Sequence, residues 1–462
     1  MSIAESFDSS NQRKPLIPPR PPLAPENLTA LDRLSLIRRN AIASWGKEAY
    51  EEDIVRGRFF RRSSFILNTP EAIRHVLVDN YENYTRTPAG FRVLRPILGE
   101  GLLLAEGRAW KTQRRTLAPA FSPRAVPLLV PHMVSAIDDA IAALDAKRGL
   151  PVDLREAMQH LALDVAGRTM FSFSTARHGA ALRGFVNDYG ERLAQPQFLD
   201  LLLPLGWPSP KDISRALFRR KWTRFMSMLI AERKAMRVES GAPRDLFDLM
   251  VAARDPETNE AFTDAQLGDQ VSTMILAGHE TTATALFWAL YILSLDPSTQ
   301  EQVAQEANAA VLSGGALDIS QLTLTRAVID ETLRLYPPAF LIVRAALGPD
   351  VVAGMAIARG DVLMVAPWVL HRHEKLWRDP NAFEPIRFLP GSPQPDKFAY
   401  LPFGVGPRVC IGAQFAITEA TLALAKVIGT FKVELLDKAP ISPIAVVTTQ
   451  PDRSPMFRVE RR

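Results

Sequence analysis

A single cysteine, Cys410, stands among the 462 residues, so one chain can form neither a disulfide nor a cysteine-pair metal site. It lies in Phe403-Gly404-Val405-Gly406-Pro407-Arg408-Val409-Cys410-Ile411-Gly412. Gly404, Gly406 and Gly412 let the backbone take left-handed or crowded conformations, and Pro407 stiffens the loop between them. Ile411 to Ile428, rich in Ala, Leu and Val, reads as a buried helix. Cys410 therefore sits where free N–H groups and a positive dipole end favour a thiolate, and Arg408 adds a nearby cation. The chemistry on offer is that of one activated, metal-binding sulfur.

Three further sets of residues carry candidate chemistry. Glu280 and Thr281 lie in Ala277-Gly278-His279-Glu280-Thr281-Thr282. A buried Glu beside a Thr is costly unless it has a task or partners; the plainer alternative is a hydrogen-bond network that bends a helix. Trp110 and Arg114 are four apart, on one face of a helix, where they could clamp a carboxylate through the guanidinium fork and the indole N–H. Glu331 and Arg334 fall opposite the apolar stripe of Ile329, Leu333 and Tyr336. Periodicity alone makes them a solvent-exposed pair worth ~0.2–0.5 kcal/mol.

The elements that must position these groups follow in order. Residues 1–30 hold Pro15, Pro18, Pro19, Pro21, Pro22 and Pro25 and read as an extended lead-in to one catalytic domain over 31–462. Val55 to Leu67 is β-prone, and Thr69-Pro70-Glu71 starts a helix. Residues 85–108 read as a loop-rich passage whose Phe91 and Leu94 are candidate pocket wall. Residues 125–250 read as helices, broken by the apolar run Leu199 to Leu205, a candidate lid or shallow membrane contact that includes Leu201. A long helix covers roughly Asp264 to Leu295, where small Ala277 and Gly278 allow close approach to the backbone. Phe340, Leu341 and Ile342 suit a pocket strand ending in Arg344. Residues 351–365 and 430–460 alternate in β fashion, and Val447 sits in a further pocket turn.

Composition sets the outer limits. A hydrophobic content of 47% with 23% charged residues fits a globular protein with a large core. The formal charge of +5 is modest and does not imply nucleic acid. The basic cluster Arg215, Arg219, Arg220, Lys221 and Arg224 reads as a solvated helix face. Val271 to Leu295 is long enough to span a bilayer, but His279 and Glu280 in its middle favour a buried helix. Residues 1–30 lack a secretory apolar region, so the expected location is cytoplasmic.

The order Phe-Gly-x-Gly-x-Arg-x-Cys-x-Gly, complete at 403–412, resembles the heme-binding signature of the cytochrome P450 family. From about residue 60 onward, five ordered motifs carry the resemblance. It implies a mainly α triangular prism with small β-sheets, holding heme b between the long helix and the Cys410 loop. Cys410 would then be the axial iron ligand, with Phe403, Gly404, Arg408, Gly412, Ala277 and Gly278 around the heme and Trp110, Arg114 and Arg344 on its propionates. Glu280 and Thr281 take the proton-delivery roles, and His279 none. Glu331 and Arg334, with Arg387 of Pro385-Ile386-Arg387-Phe388, look like the family's structural triad, although the family often has Glu where Ile386 stands.

The implied activity is O2-dependent hydroxylation of a hydrophobic small molecule. The Gly99-Glu100-Gly101-Leu102-Leu103 and Trp-x-x-x-Arg-Arg region is similar to fatty-acid and eukaryote-like members. Two electrons must come from a separate ferredoxin or flavodoxin with its NAD(P)H-dependent reductase, and Arg108, Lys111 and Arg115 are the expected docking patch. The alternatives are a peroxide-driven peroxygenase, whose members usually lack the acid–alcohol pair, and a heme-thiolate sensor, which would need no proton relay.

Overall fold

The computed structural model describes residues 15–59, 62–172, 178–194, 200, 206–236, 242–313 and 315–462. Its axis is the helix Asp264–Leu295, 32 residues long. Thr263 caps it: the Thr263 side chain accepts from the Gln266 N–H, and the Gln266 side chain accepts from the Thr263 N–H at 2.9 Å. From Ala283 to Leu293 every residue is buried, so this half is apolar all round because protein surrounds it on every side. Leu154–Phe171, Thr323–Leu335 and Ala413–Thr430 pack against it. Among the described residues, the one helix long and apolar enough to cross a membrane is not the central helix but Val126–Asp145. Here it lies on Leu154–Phe171 and Ala413–Thr430, with Asp138 and Asp139 paired to Lys426 and Arg168.

Small sheets flank the helices. The largest runs Ile54–Phe59, Arg62–Leu67, Val362–Val365, Ile342–Ala346, Tyr84–Thr85, and is parallel only where Ile66 lies opposite Met364. Pro151–Asp153, Met456–Arg461 and Phe431–Leu435 form a second. Asp350–Val352 with Met355–Ile357, and Pro443–Ala445 with Thr449–Pro451, form two hairpins.

Three expectations need correction. The passage 85–108 is not loop-rich: Pro88–Leu98 is a helix packed on the central one. Pro88 occupies the first turn, where no N–H is required, and Gly99, with φ +61°, ends it. The proline-rich lead-in is irregular over 15–29 but tied to the body: the Phe383 N–H donates to Leu16 O at 2.8 Å and the Tyr336 hydroxyl to Pro19 O at 2.6 Å. Arg215 does not belong to a solvated face; it is 2% exposed and forks onto Asp200 at 2.9 and 2.8 Å, whereas Arg220, Lys221 and Arg224 are exposed.

Finally, Glu331 and Arg334 are fully buried and 2.6 Å apart. Thr323–Leu335 is enclosed by other elements on both its faces, so the polar stripe of the wheel has no solvent to meet. Arg387 completes the cluster at 3.6 Å from Glu331.

Candidate active site around Cys410

The cysteine loop is shaped by backbone demands. Gly404 and Gly406 have φ of +70° and +74°, and a Cβ on Gly406 would lie 2.3 Å from Leu77 O, so no other residue fits there without rebuilding the loop. The Cys410 N–H donates to Phe403 O at 2.9 Å and closes the turn. Gly412 is the N-cap of Ala413–Thr430. Cys410 keeps accessible surface while protein atoms crowd it. Burial pushes its thiol up; the Gly412 N–H and Arg114 pull the other way. The expected net lowering is therefore not found, because desolvation outweighs the helix start.

Nor is Arg408 the cation acting on the sulfur. Its guanidinium donates to Ala105 O at 3.0 Å, pairs with Glu106 and lies 4.4 Å over the Trp110 ring. Arg114 acts on Cys410 instead. Trp110 is buried and Arg114 half-buried.

A group of cations gathers beside this loop. Burial lowers Arg344 and Arg408 to about 10 each, with Arg86 adding like-charge repulsion to both. Glu106 is the carboxylate that answers them, 3.0 Å from Arg86 and also paired with Arg408. A small cavity lined by Tyr81, Ile342, Arg344, Gly404 and Arg408 joins the strand to the loop.

On the central helix, Ala277 is exposed and Gly278 half-exposed between buried Ile275 and buried His279. The Thr281 hydroxyl donates to Ala277 O at 2.6 Å. Glu280 Oε1 accepts from the Thr448 hydroxyl at 2.7 Å and the Gln450 amide at 3.2 Å. His279 is buried elsewhere, its ring lowered to about 4 by desolvation.

Thr449 brings the pocket candidates together: its N–H donates to Pro338 O at 3.3 Å and its hydroxyl to Pro337 O at 2.7 Å. Phe340, Leu341 and Ile342 thus run beside the turn holding Val447, which is 43% exposed. Phe91 and Leu94, both half-buried, lie on Pro88–Leu98, which packs on the central helix. Leu201 lies outside the described residues, as does most of the candidate lid.

Two of the three cations of the expected docking patch are paired, and Arg108 is exposed. Lys111 pairs with Glu82 at 2.5 Å, and Arg115 forks onto Asp255 at 2.9 and 2.7 Å and pairs with Glu257. These partners come from remote chain positions, so local clustering of cations overstated the field.

A family model for cytochrome P450 matches residues 18–454. The chain belongs to the cytochrome P450 family. Among its relatives, cyclooctatin synthase of Streptomyces melanosporofaciens is 31% identical, covering 91% of this chain and 92% of the relative. Cytochrome P450 3A5 of Homo sapiens is 28% identical over 86% of this chain and 82% of its own length. The crystal structure of the cytochrome P450DA heme domain superposes with a TM-score of 0.78, at 23% identity, covering 97% of this chain and 99% of the other. As a P450 the chain is a heme-thiolate monooxygenase.

The residues present fit a heme. Cys410 and Ala277 are exposed between half-buried neighbours, and a Cβ on Gly278 or Gly412 would meet no protein atom of another element within 4 Å. Arg86, Arg344 and Arg408 with one Glu106 leave positive charge over, as an anionic cofactor edge requires. The P450 resemblance pointed to Arg114, Arg344 and Arg408; it missed Arg86, Glu106, Thr448 and Gln450, which no local spacing connects to the motifs.

Proposed function

We propose that Cys410 supplies the thiolate to the iron of heme b and that O2 is used to hydroxylate a hydrophobic small molecule. The observation that carries this reading is the only cysteine of the chain, held with accessible surface on a loop whose Gly406 tolerates no side chain. When bound, a thiolate-ligated heme activates O2 and favours O–O cleavage, given two electrons. The protein's residues orient and protect. Arg114, Arg344, Arg408 and Trp110 hold the heme carboxylates, and Arg344 and Arg408 gain the counter-charge that one Glu106 does not fully provide. Glu280 holds and releases the proton at its carboxylate, and the Thr281 hydroxyl hands it on. Phe91, Leu94, Phe340, Leu341, Ile342 and Val447 bury an apolar substrate and exclude water.

The electrons come, in this reading, from a separate ferredoxin or flavodoxin with its NAD(P)H-dependent reductase, docking elsewhere than on Lys111 and Arg115. The substrate is hydrophobic and lipid-like. A relative named cyclooctat-9-en-7-ol 5-monooxygenase, 30% identical over 81% of each chain, supports adding that alcohol to a screening panel of fatty acids, terpenoids and steroids. Soret titration of the ferric protein against the panel names the class by a shift toward high spin. The reduced protein with carbon monoxide should give the thiolate-type Soret band, and Cys410→Ser should abolish it. Retention of that band in Cys410→Ser would refute the assignment.

A further inference from the structure

The hairpin near the C-terminus reaches the acid of the central helix, and its geometry has a built direction. Gln450 follows Thr449 on the strand Thr449–Pro451 and faces the opposite side, and Thr448 ends the turn just before it. Thr449 is anchored: its carbonyl accepts from Trp288 Nε1 at 2.8 Å and its hydroxyl donates to Pro337 O at 2.7 Å. Asn40 holds the opposite strand, donating to Pro443 O at 3.0 Å and accepting from the Ala445 N–H at 2.9 Å. With 449 fixed, 448 and 450 must point at the helix.

There the Gln450 amide nitrogen lies 3.2 Å from Glu280 Oε1, 2.9 Å from Thr284 Oγ1 and 2.9 Å from Thr448 Oγ1. Its orientation is set from behind. Arg155 Nε lies 3.2 Å from Gln450 Oε1, and arginine can only donate, so the amide oxygen must face Arg155 and the NH2 must face the acid. Glu280 and Thr284, four apart on the helix, present their acceptors to it together. Both donors, Thr448 and Gln450, act on Oε1. Among the described residues Oε2 has no protein hydrogen bond, which leaves it for proton exchange. Arg155 is half-exposed on Leu154–Phe171, so the chain Arg155–Gln450–Glu280 runs from the surface to the acid.

We infer that Gln450, oriented by Arg155 and assisted by Thr448, is a positioning residue that holds the Glu280 carboxylate where it serves proton delivery. This rests on the proton-delivery reading of Glu280 given above. Gln450 acts through Glu280.

The decisive variant is Gln450→Glu. It keeps the volume and the bond from Arg155, but offers Glu280 an acceptor in place of a donor. A packing role would tolerate it; a positioning role would not. The heme-loaded protein is driven by NADPH through a plant ferredoxin and its reductase, with O2 uptake measured in H2O and D2O. The C–O infrared stretch of the reduced carbon monoxide complex and the melting temperature are recorded alongside. Gln450→Glu should slow O2 uptake about five- to tenfold, part of the 10²–10⁴ that general acid catalysis contributes, and enlarge the solvent isotope effect. The C–O stretch should shift, with melting within a few degrees of wild type. Arg155→Met should move the same readouts less, and decides the matter if Gln450→Glu does not fold. Wild-type uptake, isotope effect and C–O stretch in the tested variant, while Glu280→Gln slows uptake, overturn the inference alone. No effect of Glu280→Gln overturns the proton-delivery reading on which it stands.

Discussion

Replacing Glu331 by Gln removes one charge and almost no volume, which isolates the electrostatics of the buried cluster. Arg334 spends all of its N–H groups. Nε donates to Glu331 Oε2 at 2.7 Å; Nη2 donates to Oε1 at 2.6 Å and to Ala382 O at 2.7 Å; Nη1 donates to His371 O at 2.9 Å and Pro380 O at 2.7 Å. Neither side chain has accessible surface. An amide at 331 sets a donor against a donor and strips the buried guanidinium of its counter-charge, a loss of about 3–5 kcal/mol. The third member is a built-in comparison. Arg387 Nε is 3.6 Å from Glu331, too far for a hydrogen bond, and its nearer partner is the part-exposed Glu384 at 2.6 Å. Arg387→Ala should therefore cost only about 1 kcal/mol. Urea unfolding of the heme-free protein, followed by tryptophan fluorescence, reads both as changes of midpoint at constant slope. A Glu331→Gln variant within about 1 kcal/mol of wild type, or an Arg387→Ala variant as damaged as Glu331→Gln, would refute this reasoning.

Gly406→Ala should destabilise the heme-free loop, since it combines φ +74° with a Cβ 2.3 Å from Leu77 O, whereas Gly412→Ala, which meets no protein atom within 4 Å, should leave heme-free melting unchanged. A loss of heme retention confined to Gly412→Ala would then report contact with the cofactor itself; equal melting of the two variants would disprove the steric account. His371 carries a pH prediction. Its Nε2 accepts from the Leu401 N–H at 2.8 Å and its Nδ1 meets Arg334 O at 3.2 Å, so the fold holds it neutral, and burial with the nearby Arg334 charge lowers it from 6.5 to about 3. Between those values the unfolded chain binds a proton that the folded chain does not. The stability it contributes is full above pH 6.5 and is lost as the pH falls toward 3. Melting of the heme-free protein between pH 7 and pH 4 should fall less steeply in His371→Gln, and parallel curves would count against the assignment.

The features legible along the chain are local ones. Family membership, the glycine demands of 403–412, and the ends of the central helix at Asp264 and Leu295 were all readable, because capping, φ restrictions and apolar runs act over a few residues. Which residues to inspect for chemistry was legible for the same reason. Pro88–Leu98 is a helix despite its prolines and glycine because packing on the central helix overrides their loop preference. The tertiary structure alone decided where charge is answered. It buried Glu331 and Arg334 by enclosing both faces of their helix, turned Arg408 from the sulfur to Glu106 and Trp110, and quenched Lys111 and Arg115 with remote carboxylates. It also delivered Gln450 to Glu280 across 170 residues of chain. Electrostatics and hydrogen bonding depend on distance in space, and no spacing along the chain encodes that.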